Sequence, residues 1–435
     1  MQSASAGPAT RRIPLSRRLP FTLNASVLIA LLAASSAPTP LYALYQDQWQ
    51  LSALTVTVVF SAYALALLVA LLTTGALSDH VGRRPVLMGA LTLQIVSMGV
   101  FVTAHGVGTL ITARVLQGLA TGAATSAAGA ALLDLENPAC PGRSALANSV
   151  SPVAGMAAGV MGATLLVHFA PGPTVTVYVL LMVLFAVQIF ALAFTDETAH
   201  PHAGALRSMR PHLALPGAAR RALVLTGAGV VAVWALGGFY SSLGPAFTRL
   251  ISPAAPQAAG GLVFFTLTLC AALTVWATRS LRALTAATLG CCAVIPAVLL
   301  SVGAMHVTSL APLFAGAALA GFGFGAVSQG ALRMVLAPVR ENERSGTLAS
   351  YYVLSYLAMS LPAIGAGVLT VRYGLGTAAH LYAAAVILLA LAAVGALART
   401  LRDRSGKTTP APLPPTRSSG RTAPAIARRP LTHHK

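Results

Sequence analysis

Charge is what this 435-residue chain has least of: 9% of its residues are charged and 56% are hydrophobic. Soluble chains carry about 25% charged residues. A chain this apolar cannot cover a water-facing surface, so lipid must solvate much of it. Acids are scarcest, nine in all, and lysine occurs only at Lys407 and Lys435. The net charge of +19 invites a nucleic-acid partner. The basic residues are scattered between apolar runs, however, and form no binding patch, so nucleic acid is excluded. Cys140, Cys270, Cys291 and Cys292 lack paired metal-ligand spacing, and three lie in apolar runs, which reads as free thiols. No metal site and no cofactor is expected. A G-x-x-x-x-G-K-[ST] loop is missing, which argues against an ATP-driven pump. No clustered nucleophile, metal site or carboxylate pair suggests an enzyme, and no sizeable soluble domain suggests a sensor.

What is present is a series of apolar runs near the roughly 20 residues a helix needs to cross a bilayer. Their unbroken Leu/Ala/Val character is helical, since barrel strands alternate with polar residues. The predicted fold is an all-α membrane protein with twelve transmembrane helices, over 21–45, 53–77, 86–104, 108–133, 144–168, 174–194, 222–247, 258–277, 283–304, 309–333, 347–370 and 376–398. The polar, arginine-bearing stretch 195–221 divides them into bundles 21–194 and 222–398. A basic tail, 1–20, precedes the first span, which lacks a signal-peptide cleavage site. The Pro-, Ser- and Arg-rich tail 399–435 reads as disordered. With both termini in the cytoplasm, 25 Lys/Arg lie inside and only Arg249 and Arg372 outside, as the positive-inside rule requires. Arginine in place of lysine suits a high-GC genome, and the expected location is a bacterial cytoplasmic membrane.

The halves echo each other at an offset near 200. Gly118 and Gly122 match Gly321 and Gly325, Pro40-Leu41-Tyr42 matches Pro245-Ala246-Phe247, and Arg143-Ser144-Ala145 matches Arg344-Ser345-Gly346. Two pseudo-symmetric six-helix repeats place a substrate site between them near mid-membrane.

The strongest local signal is Gly75-Ala76-Leu77-Ser78-Asp79-His80-Val81-Gly82-Arg83-Arg84-Pro85. Gly75 permits close helix contact and Gly82 a tight turn. Asp79 can face the positive end of a neighbouring helix, and Arg83 and Arg84 can pair with it or with other acids. The segment resembles the G-x-L-a-D-r-x-G-r-k signature of the major facilitator superfamily. Arg114-Val115-Leu116-Gln117-Gly118 resembles that family's R-x-x-q-G motif. Ala147 to Met156 retains Pro152 and Gly155 of the G-x-x-x-G-P-x-x-G-G pattern of its exporters, where small residues allow close approach and a kink. The resemblance implies alternating access, a latch at Asp79 and Arg83 that joins the halves in the outward-facing state, and a cavity lined by spans one, four, seven and ten.

An arginine inside a span costs roughly 2.5 kcal/mol or more unless it meets water or a partner. Arg114 therefore either faces a cavity, holding an anion or tuning a proton site, or snorkels to the outer surface. The implied cavity residues are Ser36, Thr39, Tyr42, Arg114, Gln117, Thr121, Trp234, Tyr240, Ser241, Ser328 and Gln329, with Tyr351, Tyr352 and Tyr356 as additions. That lining suits an amphipathic organic molecule. No acid falls inside a predicted span. Asp47 and Asp134 are the candidate coupling acids, and Asp134 has a structural alternative with Arg143 or Arg344. His105 and His306 read as solvated positions. The expected function is a monomeric secondary transporter that exports a small organic molecule, driven by the proton gradient. The alternatives are an importer or facilitator on the same fold and, more remotely, a membrane sensor or enzyme.

Overall fold

The computed structural model describes residues 15–199, 202–211, 213–340 and 343–406. Most of the basic tail 1–20, and the final tail from residue 407, lie outside the described residues. The helices in chain order are α1 (Leu15–Ser36), α2 (Pro38–Trp49), α3 (Ala53–Thr74), α4 (Leu77–Val81), α5 (Arg83–Val102), α6 (Val107–Asp134), α7 (Arg143–Phe169), α8 (Pro173–Ala193), α9 (Ala205–Ser208), α10 (Gly217–Ser242), α11 (Gly244–Ile251), α12 (Ala258–Ala277), α13 (Ala283–Val307), α14 (Leu310–Leu336), α15 (Arg344–Tyr373) and α16 (Leu375–Gly406). No strand occurs among the described residues. The tail predicted to begin at residue 399 is helical as far as Gly406.

Eleven helical stretches are long and apolar enough to cross a membrane, with α1 and α2 counted together as Leu19–Trp49. The helix that falls short is α6, although at 28 residues it is as long as its neighbours. Its apolarity is diluted by Arg114, Gln117 and a run of Gly, Ala, Ser and Thr. These are the residues that let a helix pack tightly between others.

Local chemistry sets the helix ends. The Ser52 hydroxyl caps α3 by accepting the Thr55 N–H at 3.1 Å. Pro173 opens α8 at its first turn, where no donor is needed. The first span of each half is broken at a corresponding point. α1 ends at Ser36 before Pro38 and Pro40, and α10 ends at Ser242 before Pro245. Proline cannot donate to the carbonyl four residues back, so each break frees carbonyl oxygens inside the protein.

The packing is duplicated. In the first half α3 packs on α6, α5 on α6, α1 on α7 and α5 on α8. In the second half α12 packs on α14, α13 on α14, α10 on α15 and α13 on α16. The halves meet through α7 against α12 and α3 against α15, which are themselves related by the repeat. Two large hydrophobic cores result, one per half. Val160 of α7 joins the second core, and Ala363 of α15 joins the first.

The matched glycines lie at equivalent contacts. A Cβ on Gly118 would lie 2.8 Å from Leu67 N, and one on Gly122 would lie 2.7 Å from Leu67 O, so α6 and α3 touch backbone to backbone. A Cβ on Gly321 would lie 3.0 Å from the Leu267 carbonyl carbon, and one on Gly325 would lie 2.6 Å from Ala271 O, so α14 meets α12 in the same way. In α7, a Cβ on Gly155 would lie 2.9 Å from Ile29 Cα, which seats this helix on α1. Pro152 lies within α7, which stays helical through it. Gly75 ends α3 with ordinary right-handed geometry, and its Cβ position faces the Leu71 carbonyl of its own helix.

Candidate functional site

Two faces of the bundle can be distinguished. The face that carries the 75–85 loop and the 195–216 stretch holds most of the described arginines and is called the basic face. The ends of α2 and α11 define the opposite, far face.

Between the faces, in the first half, lies a buried cation. Arg114 has 0% exposure. It therefore does not snorkel. Its Nε donates to the Tyr42 hydroxyl at 3.0 Å, and a second guanidinium nitrogen bonds the same hydroxyl. Its remaining bonds go to the Ser35 carbonyl at 3.0 Å and the Gln117 Oε1 at 2.7 Å. Gln117 in turn donates to the Ala34 carbonyl at 2.9 Å. These partners follow from the broken helix. Pro38 removes the donor that would have used the Ala34 oxygen, and α1 presents its negative dipole end at this point. The Arg-x-x-Gln pair of α6 supplies the missing donors. Ser36 secures the break from the other side, donating to the Met156 carbonyl of α7 at 2.8 Å.

No described acid pairs with Arg114. Its charge is balanced instead by carbonyl dipoles and by two ring faces, Tyr42 at 5.5 Å and Tyr63 at 5.1 Å. The second half lacks this arrangement. At the offset set by Gly118 and Gly321, Arg114 and Gln117 correspond to Ala317 and Ala320, and at the offset set by Pro40 and Pro245, Tyr42 corresponds to Phe247. The cation therefore breaks the symmetry of the repeat.

Facing it in the second half is an aromatic belt. Trp234 lies 5.3 Å from Phe324 and 5.2 Å from Tyr356, with Tyr352 next to Tyr356 at 6.0 Å. The Tyr351 hydroxyl donates to the Ser328 carbonyl at 3.1 Å. The two groups meet where Tyr63 of α3 packs with Tyr356 and Met359 of α15. Tyr63 Oη, Trp234 Nε1, Ser328 Oγ and Ser360 Oγ are buried there without hydrogen-bond partners among the described residues.

Of the sequence-expected cavity residues, Tyr42, Arg114 and Gln117 come together, and Thr121 joins them by donating to the Gln117 carbonyl at 2.8 Å. Thr39 is buried in the same broken helix. Two others belong elsewhere. Tyr240 turns into the core of the second half, 2.6 Å from the Ser301 hydroxyl. Gln329 accepts a bond from Thr278 at 2.9 Å, at the basic-face end of α12.

The latch residues assemble at the basic face. Arg83 pairs with Asp79, donates to Ser78 at 2.8 Å, and reaches Asp134 of α6 at 3.1 Å. Asp134 is thus committed to Arg83 and to the Thr198 hydroxyl, and it makes no ion pair with Arg143 or Arg344. Gly82 turns the chain at φ +111°, a conformation that favours glycine. The freed start of α5 is capped by Glu197, whose carboxylate accepts the Arg83 N–H at 2.8 Å and the Arg84 N–H at 3.0 Å. Arg84 also donates to the Ala193 carbonyl at the end of α8. Sequence reasoning missed Glu197, because its partners are over a hundred residues away. Replacing it by alanine (Glu197→Ala) is expected to cost about 1 kcal/mol, the worth of an N-terminal cap, read as a small fall in melting temperature. An unchanged melting temperature would show that Glu197 does not stabilise the start of α5.

Every latch contact stays within the first half and the segment that follows it. At the far face, in contrast, the halves are tied directly. Asp47 of α2 receives Arg249 of α11 at 2.9 Å. Farther in, Ser61 donates to the Ser360 carbonyl at 3.2 Å. A Cβ on Gly367 would lie 2.9 Å from Leu54 Cα, so α15 and α3 also close together toward this face. Among the described residues, no ion pair joins α1–α8 to α10–α16 at the basic face. The structure is thus joined at the far face and unlatched between its halves at the basic one.

Solved structures share this architecture at low identity. A bacterial homologue of the human lysosomal transporter Spinster, inward-facing and unoccupied, aligns with TM-score 0.68 and 12% identity over 90% of this chain and 99% of that one. The nucleoside transporter NupG aligns with TM-score 0.65 and 12% identity, over 87% and 99%. The human organic anion transporter MFSD10 (TETRAN) aligns with TM-score 0.62 and 18% identity, over 88% and 100%. No curated protein sequence matches the chain. A profile of the Major Facilitator Superfamily matches residues 25–301, well over half of the sequence, and the chain therefore belongs to that superfamily of multi-pass membrane transporters.

Proposed function

We propose that this protein is a twelve-span secondary transporter that moves a small organic molecule by alternating access, exporting it at the expense of the proton gradient. The carrying observation is the mid-membrane junction, where the buried Arg114 cluster of one half meets the Trp234–Tyr356 belt of the other around unpartnered polar atoms. Buried polar groups without partners are uncommon in folded proteins. Here they stand where two rigid halves would part, so a ligand entering between them would gain hydrogen bonds that the closed protein does not make. Aromatic faces beside single hydroxyl and indole donors suit an amphipathic organic compound.

α6 is the twelfth span in this reading, because its length and its contacts with α3 and α5 leave it inside the bundle. Positive-inside bias puts the basic face in the cytoplasm of a bacterial cell, with both termini there and the far face outside. The protein then rests open to the cytoplasm, closed outside by Asp47 and Arg249. The support for export is the exporter-like stretch in α7, where Gly155 holds this helix against α1. Coupling has to act at the faces, since Asp47 and Asp134 lie there and are both paired. The working unit is a monomer, since each half already supplies one wall of the junction.

A resistance and uptake screen of a deletion strain identifies the cargo. Inverted vesicles containing the protein are then expected to accumulate it, and an uncoupler to abolish the accumulation. Flux indifferent to the uncoupler would remove proton coupling. A deletion strain that accumulates less of the cargo would reverse the direction.

A further inference from the structure

Two histidines from different helices of the second half meet on the far face, outside everything the transport reading uses. His306 lies in the last turn of α13, and His380 lies in the second turn of α16. Their Nε2 atoms are 3.2 Å apart, with ring centroids at 5.4 Å and planes inclined by 61°. The sequence alone suggested a solvated position for His306; the side chain is exposed, and it lies against His380.

The tautomer of His380 follows from its other nitrogen. Nδ1 lies 2.8 Å from the Gly376 carbonyl oxygen, which can only accept, so Nδ1 carries the proton. The free lone pair of His380 is then on Nε2, the nitrogen that lies beside Nε2 of His306. An imidazole that donates one N–H to a backbone carbonyl and offers the other nitrogen is the usual form of a metal-binding histidine. The spacing also fits. Metal–imidazole bonds are about 2.0–2.1 Å long. Two nitrogens 3.2 Å apart then subtend an angle of about 100° at the ion, between octahedral and tetrahedral values. His306 stands at the negative end of α13, which favours a cation.

We propose that His306 and His380 chelate a first-row divalent transition-metal ion, which fastens the end of α13 to the start of α16. No cluster of three or more His, Cys, Asp or Glu that could hold a metal occurs among the described residues. Both rings are exposed, so water completes the coordination and the site is of moderate affinity. Imidazole pairs bind Cu2+ most tightly among these ions.

The test is a Cu2+ titration of the purified full-length protein in detergent, read by electron paramagnetic resonance, beside His306→Gln, His380→Gln and the double variant. The remaining histidines are common to all four proteins, so differences report on this pair alone. The expected result is one equivalent more of two-nitrogen Cu2+ in the parent than in the double variant, weakened at least about tenfold in each single variant. The same ion should raise the thermal stability of the parent and not that of the double variant. Equal Cu2+ stoichiometry and affinity in parent and variants would overturn the site and leave a simple histidine–histidine hydrogen bond. Because the readout is binding, its failure is separate from any failure of the transport reading.

Discussion

Arg114→Ala should abolish transport while leaving a folded protein in the membrane. Removing the guanidinium strips donors from the Ser35 carbonyl, the Tyr42 hydroxyl and Gln117 Oε1. Each orphaned acceptor costs about 1–3 kcal/mol. Against that stands relief from holding an unpaired cation inside a span, worth about 2.5–3.5 kcal/mol. Three such acceptors cost about 3–9 kcal/mol together, so the relief offsets only part of the loss and the melting temperature should fall. Function should not recover, because the break between α1 and α2 loses the side chain that bridges it. Arg114→Lys is the sharper variant. It keeps the charge, but a lysine ammonium is a point donor and cannot reach a hydroxyl, a carbonyl and an amide in the planar fork that arginine provides. Arg114→Lys is therefore expected to transport little better than alanine, by flux of the identified cargo in vesicles. Wild-type flux in Arg114→Lys would mean that charge alone matters and that the fork does not.

The second large effect falls on stability. Gly118→Leu should prevent accumulation of folded protein, because even a Cβ would lie 2.8 Å from Leu67 N on the facing backbone. A flexible side chain could move aside, but a helix backbone can yield only by moving α3 as a whole. Overpacking costs about 1–3 kcal/mol in ordinary cores and more where no rotamer relieves it. The counterpart Gly321→Leu should fail in the same way, since its Cβ would lie 3.0 Å from the Leu267 carbonyl carbon. Gly108→Ala, at a position with no neighbour within 4 Å, is the internal control and should behave as wild type. Size-exclusion profiles of the three variants decide the matter. A monodisperse Gly118→Leu peak at wild-type yield would contradict the repeat packing derived from these contacts.

Much of this was readable from residues alone, and the exceptions have physical causes. Gly118, Gly122, Gly321 and Gly325 announce their contacts because close helix packing leaves few other choices. The burial of Arg114 follows from the cost of exposing it to lipid. Its acceptors do not, because the Ala34 and Ser35 carbonyls become available only through the break before Pro38. Span membership alone places Tyr240 and Gln329 at the cavity, yet each residue along a helix turns the side chain by about 100°, so the span says little about direction. Tyr240 consequently faces Ser301, and Gln329 faces Thr278. Long-range polar partners were hidden for a related reason. Neither the pairing of Asp47 with Arg249 nor the capping of α5 by Glu197 has any local signature, since their separations exceed a hundred residues. The hydropathy of α6 falls short because it is diluted by the small and polar residues that pack this helix against α3 and α5.

In the proposed cycle two rigid halves rock about a mid-membrane junction, closed at the far face by Asp47 and Arg249. Paired spin labels test it directly, with one pair at Gln50 and Ser252 on the far face and another at Ala145 and Leu281 on the basic face. Distances are measured in the parent and in the Asp47→Ala, Arg249→Ala double variant. Reciprocal change is expected: the far-face distance lengthens and the basic-face distance shortens in the same sample. A far-face distance that lengthens while the basic-face distance stays fixed would show local fraying of α2 and α11, and would contradict a rocking transporter.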